Sequence, residues 1–241
     1  FEKWLNPSHT LDFERYASDS TIDYVKFQIE RIRAIVPKMP ITTNTWFCEH
    51  MPDFTNMFEG LSFVSYDNYP VARIPQSKKE LYSHSFHLDF MRGIKRQNFW
   101  IMEQLSGSIG SWMPMTRSPY PGTIKGYALQ AIAHGADTVV HFRWRTGCSG
   151  AEMYWHGIID HNHVKGRRYN EFCELCEEVK KLEVLEGSTV RNQVAMIYSM
   201  EQEYAFRLQH QSEGMYYLLQ LKALHDGFTQ LGVGVDIIDE Q

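Results

Sequence analysis

The stretch Asn98-Phe-Trp-Ile-Met-Glu103 decides the fold, because an apolar, aromatic run ends there in a single carboxylate. A polar loop that contains glycine follows at once, at residues 104–110. A buried strand of a parallel barrel presents a functional group in this way, where the strand meets its C-terminal loop. Burying a charged Glu beside an apolar strand is costly unless the carboxylate has a partner or a task. This pattern alone leaves two readings of Glu103 open: a catalytic carboxylate or a strand-end ion-pair partner.

Helix and strand patterns alternate on both sides of this stretch. Helices are predicted from apolar residues three and four apart, at residues 21–36, 77–95, 123–134 and 168–185. Strands are predicted between them, at residues 41–47, 61–66, 98–103 and 137–144. Alternation of this kind favours parallel strands joined by right-handed crossovers. The strand ends are rich in functional side chains, which is typical of a TIM barrel: Asn44, Trp46, Asp67, Asn68, Tyr69, Glu103, Arg143 and Arg145.

The number of strand–helix units predicts a partial barrel followed by a second domain. A complete (β/α)8 barrel has eight units in about 250 residues, whereas four units precede Gly187. We therefore expect residues 1–187 to form the second half of a catalytic barrel. The pattern then restarts with a strand, a helix and a strand, so residues 188–241 are expected to begin a further α/β domain. No GxGxxG or P-loop motif supports nucleotide binding.

Composition excludes several classes of function. The net charge of -5 and the lack of a basic block disfavour nucleic-acid binding. The sequence has no run of 18 apolar residues, so we expect no membrane partner. Cys173 and Cys176 form a single CxxC inside a helical pattern, which favours two thiols of a reduced, cytoplasmic protein over a zinc or redox site. We expect no cofactor and no bound metal.

Other candidate residues surround the Glu103 strand in sequence. Six Trp and 13 Tyr residues are typical of sugar-binding clefts, although many protein interfaces are equally aromatic. Trp112 lies in a proline-containing loop and could stack on a sugar ring or simply anchor the loop. Glu152 and His156 are four residues apart, and would share one face if their segment were helical. We expect them to hydrogen-bond a polyol; the alternative is a metal site that also recruits His161 and His163.

The chain resembles the glycoside hydrolase family 42 β-galactosidases. Several blocks in combination carry the resemblance: Thr43-Asn44, Val64-Ser-Tyr-Asp-Asn-Tyr-Pro70, Ile101-Met-Glu-Gln104, Ala131-Ile-Ala-His-Gly-Ala-Asp137, Phe142-Arg-Trp-Arg145 and Gly150-Ala-Glu152. The match runs from about Asn6 to the C-terminus. The resemblance implies a (β/α)8 barrel, a trimerising α/β domain and retaining hydrolysis of terminal β-D-galactosides.

The resemblance also implies roles for individual residues. Glu103 matches the family's nucleophile, and Trp112, Glu152, His156 and Tyr69 match residues that contact galactose. The family's general acid/base is a Glu that follows Asn at the end of the fourth barrel strand. No such Asn-Glu precedes Asn6, so this residue and the family's cysteine zinc cluster are expected upstream of this chain.

Two other functions remain open at this point. The first is a barrel hydrolase for another glycoside, such as an α-L-arabinoside. The second is a truncated, non-catalytic remnant that keeps a galactose pocket or only an oligomerising surface. A second carboxylate across the scissile bond distinguishes an enzyme from a remnant, because glycoside hydrolysis needs two.

Overall fold

The computed structural model describes residues 6–48, 50–70, 78–111 and 115–240, with the backbone alone at residues 78–83. The chain divides into two compact units. One unit contains the residues up to Val64, Asp89–Gln97 and the residues from Arg191 onward. The other unit contains Ser65–Leu88 and Asn98–Val190.

Helices and strands alternate through most of the described residues. The helices are α1 (Pro7–Ile35), α2 (Phe54–Phe58), α3 (Lys78–Lys95), α4 (Thr123–Ala133), α5 (Arg167–Lys180), α6 (Met200–Leu208) and α7 (Tyr217–Gln230). The strands are β1 (Asn44–Thr45), β2 (Ser65–Asn68), β3 (Phe99–Leu105), β4 (Ala136–Phe142), β5 (Val194–Tyr198) and β6 (Val235–Asp239). No described helix is both long enough and apolar enough to cross a membrane.

The unit with Ser65–Leu88 is built on three parallel strands in the order β2-β3-β4. Strand β3 lies in the middle, and its Phe99, Ile101 and Leu105 side chains are buried. Helix α4 adds an apolar face to this core, because its Ile124, Tyr127, Ala128 and Ala131 are buried. The pairing of β2 with β3 places Asp67 opposite Glu103 and Asn68 opposite Gln104, so polar residues of the two strands lie side by side.

The other unit contains a two-stranded parallel sheet, β5-β6, and a buried ionic network. The Arg92 guanidinium donates to Asp89 Oδ1 at 2.6 Å and to Asp236 Oδ1 at 2.9 Å. The fully buried His225 lies 2.8 Å, by its Nε2, from Asp89 Oδ2. Each buried charge thus has an opposite partner or a hydrogen bond, as burial in an apolar interior requires.

The structure corrects several predicted boundaries. The first helix begins at Pro7 rather than at residue 21, because Asn6 caps it through a 3.0 Å bond from the Ser8 N–H and Pro7 occupies its first turn. Ser20, which directly precedes the predicted start, lies inside this helix, although serine is a residue type that often caps helices. Strand β1 has two residues instead of seven, and β2 begins at Ser65 instead of residue 61. Helices α2 and α6 were not predicted.

Candidate active site

Glu103 lies on the middle strand of the parallel sheet. It precedes the last two residues of β3, which ends at Leu105 rather than at Glu103 itself. The alternating burial of Phe99 and Ile101 fixes the strand in the core, so the carboxylate is held by a rigid element. Glu103 itself is half-buried. Next to it, the buried Gln104 accepts a 2.9 Å hydrogen bond from Asn68 Nδ2, which ties the ends of β2 and β3 together.

Tyr69, the residue that directly follows β2, contacts Glu103. Its hydroxyl donates to Glu103 Oε2 at 2.5 Å. Burial, and then the hydrogen bond to Glu103, raise the pKa of Tyr69 well above its usual value. The phenol therefore stays protonated at physiological pH and acts as a donor to the carboxylate.

An aromatic cluster holds the Tyr69 ring in place. The ring centroid of Tyr69 is 5.0 Å from that of the buried Trp155, in an edge-to-face arrangement. Trp155 in turn meets Phe142 at 5.8 Å. Three further buried residues belong to the same cluster: Leu105, Ile109 and Tyr127. Because Trp155 is only 5% exposed, it packs against Tyr69 and does not offer an open ring face to a ligand.

Glu152 lies in a turn after β4, not on a helix. Its segment turns at residues 151–154, so the shared helical face that the spacing to His156 suggested does not form. Arg143 Nη2 donates to the backbone carbonyl of Glu152 at 2.8 Å and to Oε2 at 3.2 Å. The negative charge of Glu152 contributes to the raised pKa of Tyr69, which brings Glu152 into the same electrostatic environment as Glu103.

His156 lies against the loop that follows β3. Its backbone N–H donates to Ser108 O at 2.9 Å. Gly107 makes this approach possible, because a Cβ there would lie 2.5 Å from the carbonyl oxygen of His156. The preceding residue, Trp155, contacts Tyr69. His156 therefore belongs to the same surroundings as Glu103, although it shares no helix with Glu152.

Asp160 and Arg168 join His156, although no sequence motif had singled them out. His156 Nδ1 lies 2.8 Å from Asp160 Oδ1, and Arg168 Nη2 donates to Asp160 Oδ2 at 2.8 Å. Although burial opposes it, hydrogen bonds from Arg168, His156 and the His161 backbone hold the pKa of Asp160 below its usual range. The spacing of four between His156 and Asp160 was the only available signal. It lay in a segment without a predicted element.

His156, Asp160 and His161 form the cluster of potential metal ligands found among the described residues. Glu152 and His163, which the metal alternative also used, are not part of it. The His161 Nε2–H donates to the carbonyl oxygens of Gly147 and Met153, at 3.0 and 2.8 Å. Asp160 forms an ion pair with Arg168. A cation would have to compete with Arg168 for the carboxylate, so this donor set does not favour a metal.

Trp112 lies outside the described residues. Its proposed contact with a sugar ring stays a prediction. Among the described candidates, Tyr69 contacts Glu103 directly, and Glu152 and His156 lie within the same unit. This arrangement offers one carboxylate held by a neutral donor, a second held by a cation, and an oriented imidazole.

Family models match almost the whole chain. Residues 1–182 match a family described as β-galactosidase, the glycoside hydrolase family 42 model. Residues 192–241 match the β-galactosidase trimerisation domain. The division of the chain at residue 187 stays a prediction of the sequence.

Individual relatives agree with these matches. A β-galactosidase of Clostridium cellulovorans is 58% identical over 237 residues, which is 98% of this chain and 36% of that protein. Two solved structures have similar folds. The β-galactosidase of the haloarchaeon Halorubrum lacusprofundi has a TM-score of 0.89 at 27% identity, over 98% of this chain and 36% of that one. The β-galactosidase of Marinomonas ef1 has a TM-score of 0.88 at 26% identity, over 98% and 39% of the two chains.

The chain spans about a third of the length of these relatives. The fold prediction is confirmed: the chain has an α/β fold with a parallel sheet and matches the second half of a TIM barrel and the start of the domain that follows. The family predicted from the sequence blocks is confirmed by the same matches. The chain belongs to the glycoside hydrolase family 42 β-galactosidases.

Proposed function

We propose that this chain carries the nucleophile and part of the galactose pocket of a retaining β-galactosidase. The hydrogen bond from Tyr69 to Glu103 Oε2, near the end of a buried parallel strand, is the observation that supports the proposal most strongly. It holds one carboxylate oxygen and leaves Oε1 available to attack a sugar carbon. A retaining enzyme needs one carboxylate in this role and a second as acid and base, about 5–5.5 Å away.

The reaction proceeds in two displacements. In the first, Glu103 Oε1 bonds to the anomeric carbon while the bond to the leaving oxygen breaks, and that oxygen takes a proton from the acid. In the second, water attacks the same carbon, the ester bond to Glu103 breaks, and the proton of water returns to the base. The family resemblance assigns the acid/base to a strand that these residues do not include.

Glu152, His156 and Trp112 complete the proposed pocket on this side. Glu152 and His156 hydrogen-bond the hydroxyl groups of the sugar, and Trp112 stacks on its ring. Because Arg143 pairs with the Glu152 carboxylate, Glu152 is better suited to hold a hydroxyl than to attack carbon. The match of residues 192–241 to a trimerisation domain supports a homotrimer as the assembly of the whole protein.

The test uses a chimera in which this chain replaces the matching segment of the Clostridium cellulovorans relative, which supplies the remaining residues. A 2-deoxy-2-fluoro galactoside traps the covalent intermediate, and mass spectrometry of the peptides locates it. We expect the label on Glu103. Glu103→Gln should abolish labelling and lower turnover by several orders of magnitude, while Glu152→Gln should still be labelled.

A label on Glu152 would contradict the assignment of the nucleophile. Faster trapping by the corresponding α-L-arabinoside reagent would instead show that the sugar is wrong while the reaction class holds. Proton NMR of the first product provides an independent check, because a double displacement releases galactose in the β configuration.

A further inference from the structure

We propose that Asp160, clamped by Arg168, is a positioning residue that fixes the tautomer of His156, so that His156 Nε2 accepts a hydrogen bond from a sugar hydroxyl. This inference rests on the proposed function, because it takes His156 as a contact of the sugar. It assigns to the site two residues that do not touch the substrate.

The direction of the bond between His156 and Asp160 follows from chemistry. A carboxylate offers acceptors only, so the 2.8 Å contact requires His156 Nδ1 to carry the proton. Asp160 remains ionised because Arg168 donates to its other oxygen at 2.8 Å. In a neutral imidazole the second nitrogen is then an acceptor. His156 Nε2 has no hydrogen-bond partner within the described part of the chain, so this acceptor remains available.

Asp160 is itself held from three directions. Thr146 Oγ1 lies 3.3 Å from Asp160 Oδ1, and the His161 backbone N–H donates to the same oxygen at 2.9 Å. Arg168 is anchored separately, because its Nε donates to Gly157 O at 2.9 Å. The carboxylate thus has little freedom to turn away from His156.

The His156 ring is also fixed from its side. The His161 ring meets it edge-on, with centroids 5.4 Å apart. The His161 ring cannot rotate easily, since its Nε2–H donates hydrogen bonds to two loop carbonyl oxygens, those of Gly147 and Met153. These contacts restrict the imidazole to one orientation before any ligand arrives, which lowers the entropy cost of binding.

A double-mutant cycle in the chimera tests whether Asp160 acts through His156. We expect Asp160→Ala to lower kcat/KM about tenfold to hundredfold, as the loss of a charge-assisted hydrogen bond does. In a His156→Ala background the same change should have little further effect. Asp160→Asn should be impaired at least as much as Asp160→Ala, because an amide can donate to Nδ1 and favour the wrong tautomer.

Neighbouring arginines on α5 provide a matched control. Arg168→Ala should reproduce part of the Asp160→Ala loss. Arg167→Ala should leave kcat/KM unchanged, since Arg167 pairs with Glu171 and Pro119 O instead. Thermal unfolding of each variant separates a local effect from a loss of fold. Equal losses for Asp160→Ala with and without His156 would overturn the proposal.

Substrate analogues test the direction of the hydrogen bond. At the hydroxyl that His156 contacts, a monodeoxy and a monofluoro galactoside should bind equally poorly, because fluorine cannot donate to an acceptor nitrogen. If the monofluoro galactoside binds clearly better than the monodeoxy galactoside, Nε2 donates the hydrogen bond and the proposal is wrong. If His156→Ala has no effect on any galactoside, the placement of His156 in the pocket fails. If kcat/KM falls in His156→Ala but not in Asp160→Ala, His156 remains a contact of the sugar and the positioning role of Asp160 is rejected.

Discussion

At the scale of single residues, the hydroxyl of Tyr69 determines how Glu103 is held. Tyr69→Phe removes this donor but keeps the ring that packs on Trp155. A hydrogen bond to a charged group contributes about 1.5–3 kcal/mol, so we predict a fall in kcat/KM of roughly tenfold to hundredfold in the chimera. Steady-state kinetics on an aryl galactoside measures it.

Tyr127→Phe is the matched control for this prediction. Tyr127 belongs to the same buried aromatic cluster, but its hydroxyl makes no hydrogen bond to Glu103. Its kcat/KM should stay within a factor of a few of the parent. Equal losses in both variants would mean that the cluster tolerates no change, and that the bond to Glu103 has no special role.

His141 gives the protein a pH-dependent stability. Burial lowers the pKa of His141 to about 4, from an ordinary value near 6.5. Between these two values the unfolded chain binds a proton that the folded chain does not, so the folded state loses stability as the pH falls from 6.5 to 4. The shift corresponds to up to about 3 kcal/mol.

Replacing His141 with Gln should therefore flatten this part of the stability curve. The free energy of unfolding, measured in urea at pH 7 and at pH 4.5, should differ less in His141→Gln than in the parent chimera. His9→Gln is the control, because His9 is exposed on α1 and should leave the pH dependence unchanged. An unchanged slope in His141→Gln would contradict the assigned pKa.

At the scale of elements, Gly107 sets how closely the loop after β3 approaches His156. A Cβ at this position would lie 2.5 Å from the carbonyl oxygen of His156 and 2.8 Å from its Cβ. Gly107→Ala must therefore push the two segments apart. We predict a loss of about 1–3 kcal/mol in the free energy of unfolding and a lower kcat/KM.

Gly126→Ala is the contrasting substitution. Gly126 lies within α4, and nothing occupies the space into which its Cβ would extend. Alanine there should stabilise the protein by about 0.5–1 kcal/mol, because glycine costs helix stability. A neutral Gly107→Ala would show that the loop and His156 can separate without consequence.

Some elements and site residues could be predicted from local sequence patterns, and others could not. Strand β3 and helix α4 were predicted almost to their ends, because their apolar periodicity is a local signal. Tyr69, Glu103, Glu152 and His156 were also singled out, because they follow predicted strands or match family positions. Asp160 and Arg168 escaped notice, because their importance comes from loop geometry that brings distant residues to one histidine.

The length of α1 was missed for a related reason. Ser18, Asp19 and Ser20 are residues that often cap helices, and they lie inside a continuous helix in the folded chain. The buried Ser18 Oγ accepts from the Asp53 N–H at 2.9 Å, so tertiary structure supports a residue that local preference would place at an end.

At the scale of the whole molecule, the chain spans about a third of the length of its relatives, and one edge of its parallel sheet has no neighbour within its unit among the described residues. Strand β4 has one neighbour, β3, among the described strands of its unit, and Val140 on β4 is 42% exposed. An edge of this kind favours pairing with another chain. We therefore expect the 241 residues expressed alone to be poorly soluble or self-associated, which size-exclusion chromatography measures.

The isolated chain should also fail to hydrolyse galactosides, whereas the chimera should be active. Glu103 is present, but the acid that protonates the leaving oxygen is expected elsewhere, and general acid catalysis contributes about 10²–10⁴-fold. An activated aryl galactoside needs less protonation, so a trace of activity is expected there at most, and none on lactose. Labelling by the fluoro-sugar counts the pockets that have formed and separates a missing acid from a misfolded site.

Turnover of lactose by the isolated chain, at a rate near that of the chimera, would mean that a second acid lies within these residues. The pair of Arg143 with Glu152 would then be the first place to search for it, because the charge of Glu152 acts on Tyr69 and, unlike the buried Asp67, Glu152 is 47% exposed.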